Sequence, residues 1–351
     1  IGISFFTFTQ IAVLVDSYAK GVREPSFVHY GLFVTYFPHL VAGPVLHHAQ
    51  MMPQFARSET YRFNFTNLTI GMGIFALGLF KKVVLADGFL APAAEAVFDA
   101  RPGTVAGALD AWTGTLAFSG QIFCDFAGYS TIAIGAAMCL GFALPDNFRF
   151  PYAAVGFSDF WRRWHITLST WLRDYLYIPL GGNRHGVART YFALMATMLL
   201  GGLWHGASWT FVAWGGLHGL YLAVERGLRA RFAGYRPGPL ATFALGLLTY
   251  ALVNVTWVFF RADSFGEAWS LLRGMAGLNA GAAPILPTSL LAPALAIVAG
   301  IVAAHWTMRL RTLEGFIAVR RPAVLSGAWA LMLFAVVATQ GSGNAFIYFQ
   351  F

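Results

Sequence analysis

No Lys, Arg, Asp or Glu occurs between Thr190 and Val224. A run of that length without a charge cannot form a water-facing surface. It also exceeds the about 20 residues that cross roughly 30 Å of hydrocarbon. The whole chain of 351 residues shares this character. Charged residues make up 11% and apolar ones 58%, where a soluble domain carries about 25% charged residues. This composition excludes a cytosolic globular enzyme, a disordered chain and a nucleic-acid-binding protein. The lipid bilayer is the expected surrounding. The formal charge of +8 arises from 23 cations and 15 anions spread along the chain. It reads as the lysine and arginine bias of cytoplasmic loops, not as a polyanion site.

The clearest candidate spans are 239–260, 286–306 and 322–340. Less uniform ones are 1–19, 28–46, 67–86, 105–124, 128–144 and 190–225. The last divides into two helices, 190–204 and 207–225, separated near His205. No period repeats and no linker divides the chain, so 1–351 reads as one membrane domain. Ile1 lies inside an apolar run, which suggests that preceding helices are missing. Arg226, Arg229, Arg231 and Arg236 mark 226–236 as cytoplasmic, and Arg309, Arg311, Arg320 and Arg321 mark 307–322 likewise. The connection 261–285 and the C-terminus then face outward.

The stretch 150–189 differs from the spans. Trp161, Trp164, His165, Leu168, Trp171 and Leu172 follow the spacing of one helical face. Ser158 can cap this helix, and Pro179 with Gly181 and Gly182 can end it. A helix rich in Trp and Arg is expected to lie in the interface or to re-enter the bilayer.

Polar groups inside a membrane are costly and so are candidates for function. His205 lies in the charge-free run beside Trp204, with Gly201, Gly202 and Gly206 leaving room for close approach. His165 lies 40 residues earlier, so any partnership between the two must come from the fold. Asp125, between two apolar runs, suggests a turn, a binding group or a carboxylate paired with an arginine. His218 fits helix packing as well as function. His47 and His48 supply too few ligands for a metal site. Cys124 and Cys139 read as packing residues. The soluble motifs GxSxG, GxxxxGK[ST] and HExxH are missing.

The runs FWRRWHITLSTWLRDYLYIPLGGNR at 160–184 and LLGGLWHGASWTFVAWGGLHG at 199–219 strongly resemble the membrane-bound O-acyltransferase (MBOAT) family. The resemblance is strongest to its bacterial polysaccharide branch, typified by the alginate O-acetylation membrane protein. YFPHLVAGPVLHHAQMMPQF at 36–55, DFAGYSTIAIGAAMCLGF at 125–142 and FIYFQF at 346–351 agree with it.

That resemblance implies an all-α polytopic fold, a curved bundle of transmembrane helices around a central funnel, with re-entrant or interfacial amphipathic helices. It implies that His205 is the essential residue and His165 the second polar position. It implies a cytoplasmic acyl donor, with acetyl-CoA as substrate and no bound cofactor or metal. The acyl group would pass to periplasmic acetyltransferase partners that modify an exported polysaccharide, at the bacterial inner membrane. Acyl transfer needs a base and oxyanion donors. His205 can be the base. His165, a side-chain amide or hydroxyl, or a backbone N–H can be a donor. Arg162, Arg163, Arg173, Arg184 and Arg189 suit donor phosphates, unless they only anchor the helix to headgroups. Asp125 and Trp204 are further substrate-binding candidates. The alternatives are D-alanyl or other acyl transfer to a cell-wall polymer, or a transporter or scaffold without chemistry.

Overall fold

The structure is a computed structural model that describes residues 3–21, 26–40, 43–101, 103–311, 313, 316 and 320–339. The FIYFQF stretch and the C-terminus, expected to face outward, lie outside them. Among the described residues the chain is helical, with no strand. Five helices are long and apolar enough to cross a membrane: Phe65–Phe98, Ala108–Cys139, Gly186–His205, Pro239–Arg261 and Thr288–Met308. The Pro322–Ala338 helix is apolar but shorter. The chain is a multi-pass integral membrane protein.

Ala108–Cys139 is the most buried of the five and packs on most of the others. It lies against Phe65–Phe98 through small residues. A Cβ at Gly71 would stand 2.8 Å from the Gly135 carbonyl oxygen, and one at Gly78 would stand 2.7 Å from that of Gly128. Lipid tails are as apolar as leucine, so helices in a bilayer associate through close backbone approach of this kind.

Three expectations are corrected. The spans 105–124 and 128–144 are one helix of 32 residues. Asp125 makes no turn there, because the Lys82 ammonium pairs with it from the neighbouring helix. Lys82 also holds Asp87 at 2.8 Å, so the carboxylate is paired with a lysine rather than an arginine. The span 28–46 is instead two short helices, Phe27–Thr35 and Phe37–Leu40. The break falls at Tyr36, whose backbone is extended with ψ 97°, and a Cβ at Gly43 would collide with the His39 backbone at 2.5 Å.

The third correction concerns the amphipathic helix. It is broken into Phe157–Trp161, Ile166–Leu172 and a wider turn at Arg173–Tyr177. His165 sits at the break with φ 42°, in the left-handed region. Gly156, not Ser158, precedes the first helical turn, and the Ser158 N–H donates to the Glu225 carboxylate at 2.9 Å.

Candidate active site

The division of 190–225 near His205 is as the sequence suggests. Gly186–His205 ends at His205 itself, and Trp209–Arg231 begins after a Ser208 cap that accepts from the Thr210 N–H at 3.3 Å. The two helices form a hairpin whose backbones meet at glycines. A Cβ on Gly202 would come 3.2 Å from the Gly215 Cα. That contact brings the turn carrying His205 against the first turns of the returning helix.

The His205 ring is held by aromatic neighbours. Trp204 lies 4.7 Å away between centroids, Trp214 and Phe260 at 5.1 Å each, and Phe211 at 6.3 Å. Phe260 comes from Pro239–Arg261, so three helices converge on this imidazole.

His165 is 1% exposed. Its ring lies 4.6 Å from Phe126 edge-on and stacks at 6.3 Å with Phe5 and Phe148. Phe5 reaches on to Trp204 at 6.0 Å, and Trp204 touches His205. On the other side, Trp164 packs 5.1 Å from Trp257, and Trp257 lies 5.3 Å from Phe260. The fold thus brings the two histidine-bearing blocks onto one aromatic cluster. Phe5 and Trp204 line the step between them.

Trp204 also stacks on Phe8 at 5.1 Å. Phe8 stacks on Trp171 at 4.1 Å and accepts the Trp171 indole N–H at 2.9 Å. The Ile3–Lys20 helix therefore braces both blocks.

His218 is fully buried and lies 4.9 Å from Trp214. The Thr256 hydroxyl donates to the Val253 carbonyl at 2.7 Å, so the His218 Nε2–H donates to the Thr256 oxygen at 3.0 Å. This ties two helices together, which is the packing role weighed for it.

The arginines fall into two groups. Arg163 is engaged by Asp159 at 2.9 Å and by the carbonyls of Arg149 and Arg309. Arg162 and Arg173 are exposed. Arg162 bonds only within its own turn, to Ser158. Arg173 forks onto the adjacent Asp174 at 2.7 and 3.1 Å, which raises its already high basicity. Arg184 is exposed, and Arg189 donates to the Leu180 carbonyl at 2.6 Å. Nearby, burial holds the His47 imidazole below its ordinary range, partly offset by Asp174 and Asp16. Asp125, 1% exposed, belongs to the Lys82 ion-pair cluster.

Among the described residues, no three His, Cys, Asp or Glu side chains gather as a metal-binding group. A cavity of about 650 Å³ opens at the Arg261 end of the bundle, lined by Asp99, Arg101, Asp263, Ser264 and Glu267. Its edge residue Phe98 reaches the site only through Phe118 and Phe260.

Sequence reasoning missed Asn147 and the Phe5–Phe8 pair. Asn147 is 1% exposed. Its backbone carbonyl accepts from the Ile166 N–H at 2.9 Å, and its side chain meets His165, Thr167 and Ser130. An Asn between Asp146 and Phe148 reads as a surface turn. Its only signal was the apolar company downstream.

The family model of the membrane-bound O-acyltransferases matches residues 3–260. The peptidoglycan O-acetyltransferase of Helicobacter pylori (strain ATCC 700392 / 26695) is 42% identical over 307 residues, which is 80% of this chain and 57% of that protein. The probable alginate O-acetylase AlgI of Azotobacter vinelandii is 45% identical over 276 residues, 78% of this chain and 53% of that protein. A teichoic acid D-alanyltransferase of Streptococcus thermophilus is 26% identical over 284 residues, covering 74% of this chain and 68% of that protein. This chain spans a little over half the length of the first two relatives. With a family match across more than half of its residues and both histidine blocks on one aromatic cluster, the chain belongs to the membrane-bound O-acyltransferase family.

Proposed function

We propose that this protein O-acetylates an exported polysaccharide across the bacterial inner membrane, with His205 as general base. The observation that carries the reading is the convergence of the His205 and His165 blocks on one buried aromatic cluster. His165 is buried and His205 half-buried between helices, where a neutral imidazole is a usable base. The relatives named for peptidoglycan and alginate O-acetylation support acetyl as the group and a cell-surface polymer as its destination.

The chemistry balances simply. His205 takes the proton of the acceptor hydroxyl as its oxygen attacks the thioester carbonyl. The tetrahedral oxyanion collapses, the carbon–sulfur bond breaks, and the thiolate leaves with the proton returned by His205. The donor, acetyl-CoA, approaches from the cytoplasm, where exposed Arg162 and Arg173 supply guanidinium groups for its phosphates. Arg163 supports that surface from within through Asp159 and the Arg149 and Arg309 carbonyls, and Trp204 forms the wall beside the base. The acceptor hydroxyl belongs to a partner acetyltransferase, whose acetyl ester is then transferred to a hydroxyl of the polymer outside.

The test uses purified protein in liposomes with labelled acetyl-CoA. Removing a general base costs about 10²–10⁴ in rate. His205→Ala is expected to lose acetyl transfer by that factor while keeping its helical signal and thermal stability. Undiminished transfer by His205→Ala overturns the assignment. Preference for a D-alanyl thioester over acetyl-CoA would move the chain to the teichoic acid branch, to which it is similar at lower identity.

A further inference from the structure

The side chain of Asn147 fixes more than a loop. Its Oδ1 faces the Thr167 backbone N–H at 3.3 Å. That group can only donate, so the oxygen and not the amide nitrogen must stand there. The Thr167 hydroxyl accepts from the Val45 N–H at 2.9 Å and so spends its own proton on Asn147 Oδ1, also at 2.9 Å. On the far side the amide nitrogen donates to Ser130 Oγ at 3.0 Å. With both ends of the amide assigned, the 3.1 Å contact between Asn147 Oδ1 and His165 Nδ1 has one reading. Nδ1 carries the hydrogen, and the neutral ring presents a bare lone pair at Nε2.

That Nε2 is buried and has no hydrogen-bond partner among the described residues. Leaving a buried polar atom unsatisfied costs about 1–3 kcal/mol. The left-handed backbone of His165 adds about 1–3 kcal/mol of strain. The Asn147 carbonyl and side chain hold this arrangement by capturing the N–H groups of Ile166 and Thr167.

We infer that Asn147 is a positioning residue that holds His165 as the Nδ1–H tautomer, so that His165 meets the reactants as a hydrogen-bond acceptor through Nε2. In the acyl transfer proposed above, on which this role rests, the group that can satisfy it is an N–H or O–H of a bound reactant other than the attacking hydroxyl, whose single proton goes to His205. An oxyanion cannot, because a bare Nε2 has nothing to donate. His165 is therefore assigned to orienting a reactant through that N–H or O–H, and the oxyanion donors lie elsewhere. Around the ring stand Phe5, Phe126 and Phe148, and the titratable group that acts on it is His205. Holding an imidazole in its working tautomer is worth up to about 10⁴ in rate in serine proteases, so the lever is large enough to matter.

The tautomer is read directly by ¹⁵N NMR of histidine-labelled full chain in detergent micelles, with the His165 signals identified by their loss in His165→Gln. The expected result is an unprotonated Nε2 and a protonated Nδ1, reverting to Nε2–H in Asn147→Ala. Kinetics supply the second arm. Asn147→Ala should lower kcat ten-fold or more with the KM for acetyl-CoA within two-fold of the parent. Asn147→Asp keeps the acceptor oxygens and adds a charge beside Nδ1. It should move the acid limb of the pH–rate profile up by about one unit or more. A purely structural asparagine would leave that limb in place. Superposing limbs, or an Nε2–H tautomer in the parent protein, overturn the inference. Should Asn147→Asp fail to fold, the parent spectrum decides. Absence of any acetyl transfer by the parent strikes the proposed function instead and leaves the tautomer measurement intact.

Discussion

Gly202 and Gly215 stand face to face in the His205 hairpin, so close that a Cβ on either would meet the other's Cα at 3.2–3.3 Å. Each would also strike a carbonyl of the opposite helix, that of Phe211 or Met198. Gly202→Ala and Gly215→Ala should therefore push the helices apart and lower stability by about 1–3 kcal/mol, the usual range for overpacking. Displacement of His205 follows, so transfer should fall further than the melting temperature suggests. Gly300→Ala, at a position with open space around it, is the control. Thermal unfolding in detergent and acetyl transfer measured on the same samples check the expectation.

Lys82 lies between two carboxylates, Asp87 at 2.8 Å and Asp125. Removing one partner of a buried pair costs about 3–5 kcal/mol because the other charge is left in a poor solvent. Lys82→Met should be strongly destabilised, and Asp125→Asn added to it should recover part of the loss. Equal melting temperatures for the single and double variants would show that the two groups are not coupled.

The arginines should separate by role. Arg162→Gln and Arg173→Gln should raise the KM for acetyl-CoA several-fold with kcat unchanged, the pattern of binding that is equal in ground and transition states. Arg163→Gln should lower stability, since Asp159 and two carbonyls lose their donor. Steady-state kinetics in liposomes and melting curves distinguish the two. Equal loss of folded protein for all three would assign them all to anchoring.

Orientation is open to chemical labelling. With Cys124 and Cys139 replaced, a cysteine at position 232 should resist an impermeant thiol reagent in intact cells and react after permeabilisation. A cysteine at exposed Asp263 should behave in the opposite way. Labelling of position 232 from outside would reverse the topology.

The hairpin around His205 was legible because nothing competed with its signal. A charge-free run with glycines at 201, 202 and 206 can only be two spans with a break. The single 108–139 helix was not legible, because Asp125 looks like a boundary until Lys82, 43 residues earlier, is known to face it. The break at His165 was hidden for a related reason. Helical spacing ran through Trp161, Trp164, Leu168 and Trp171, and local sequence gave no cause to stop. The cause is Asn147, 18 residues upstream, whose oxygens take the N–H groups that a continuous helix would have used internally. Local pattern reports what a segment prefers alone, and these outcomes were set by partners distant in sequence.

The brace formed by Phe8 sets an order of events during synthesis. Its carbonyl and ring wait for Trp171, 163 residues later, and its other face waits for Trp204. The Ile3–Lys20 helix is thus made long before these partners exist. A site closed by contacts so far apart in the chain forms late, since distant pairings must follow the insertion of everything between them. The pocket around His205 takes shape only once the ribosome has delivered Phe260.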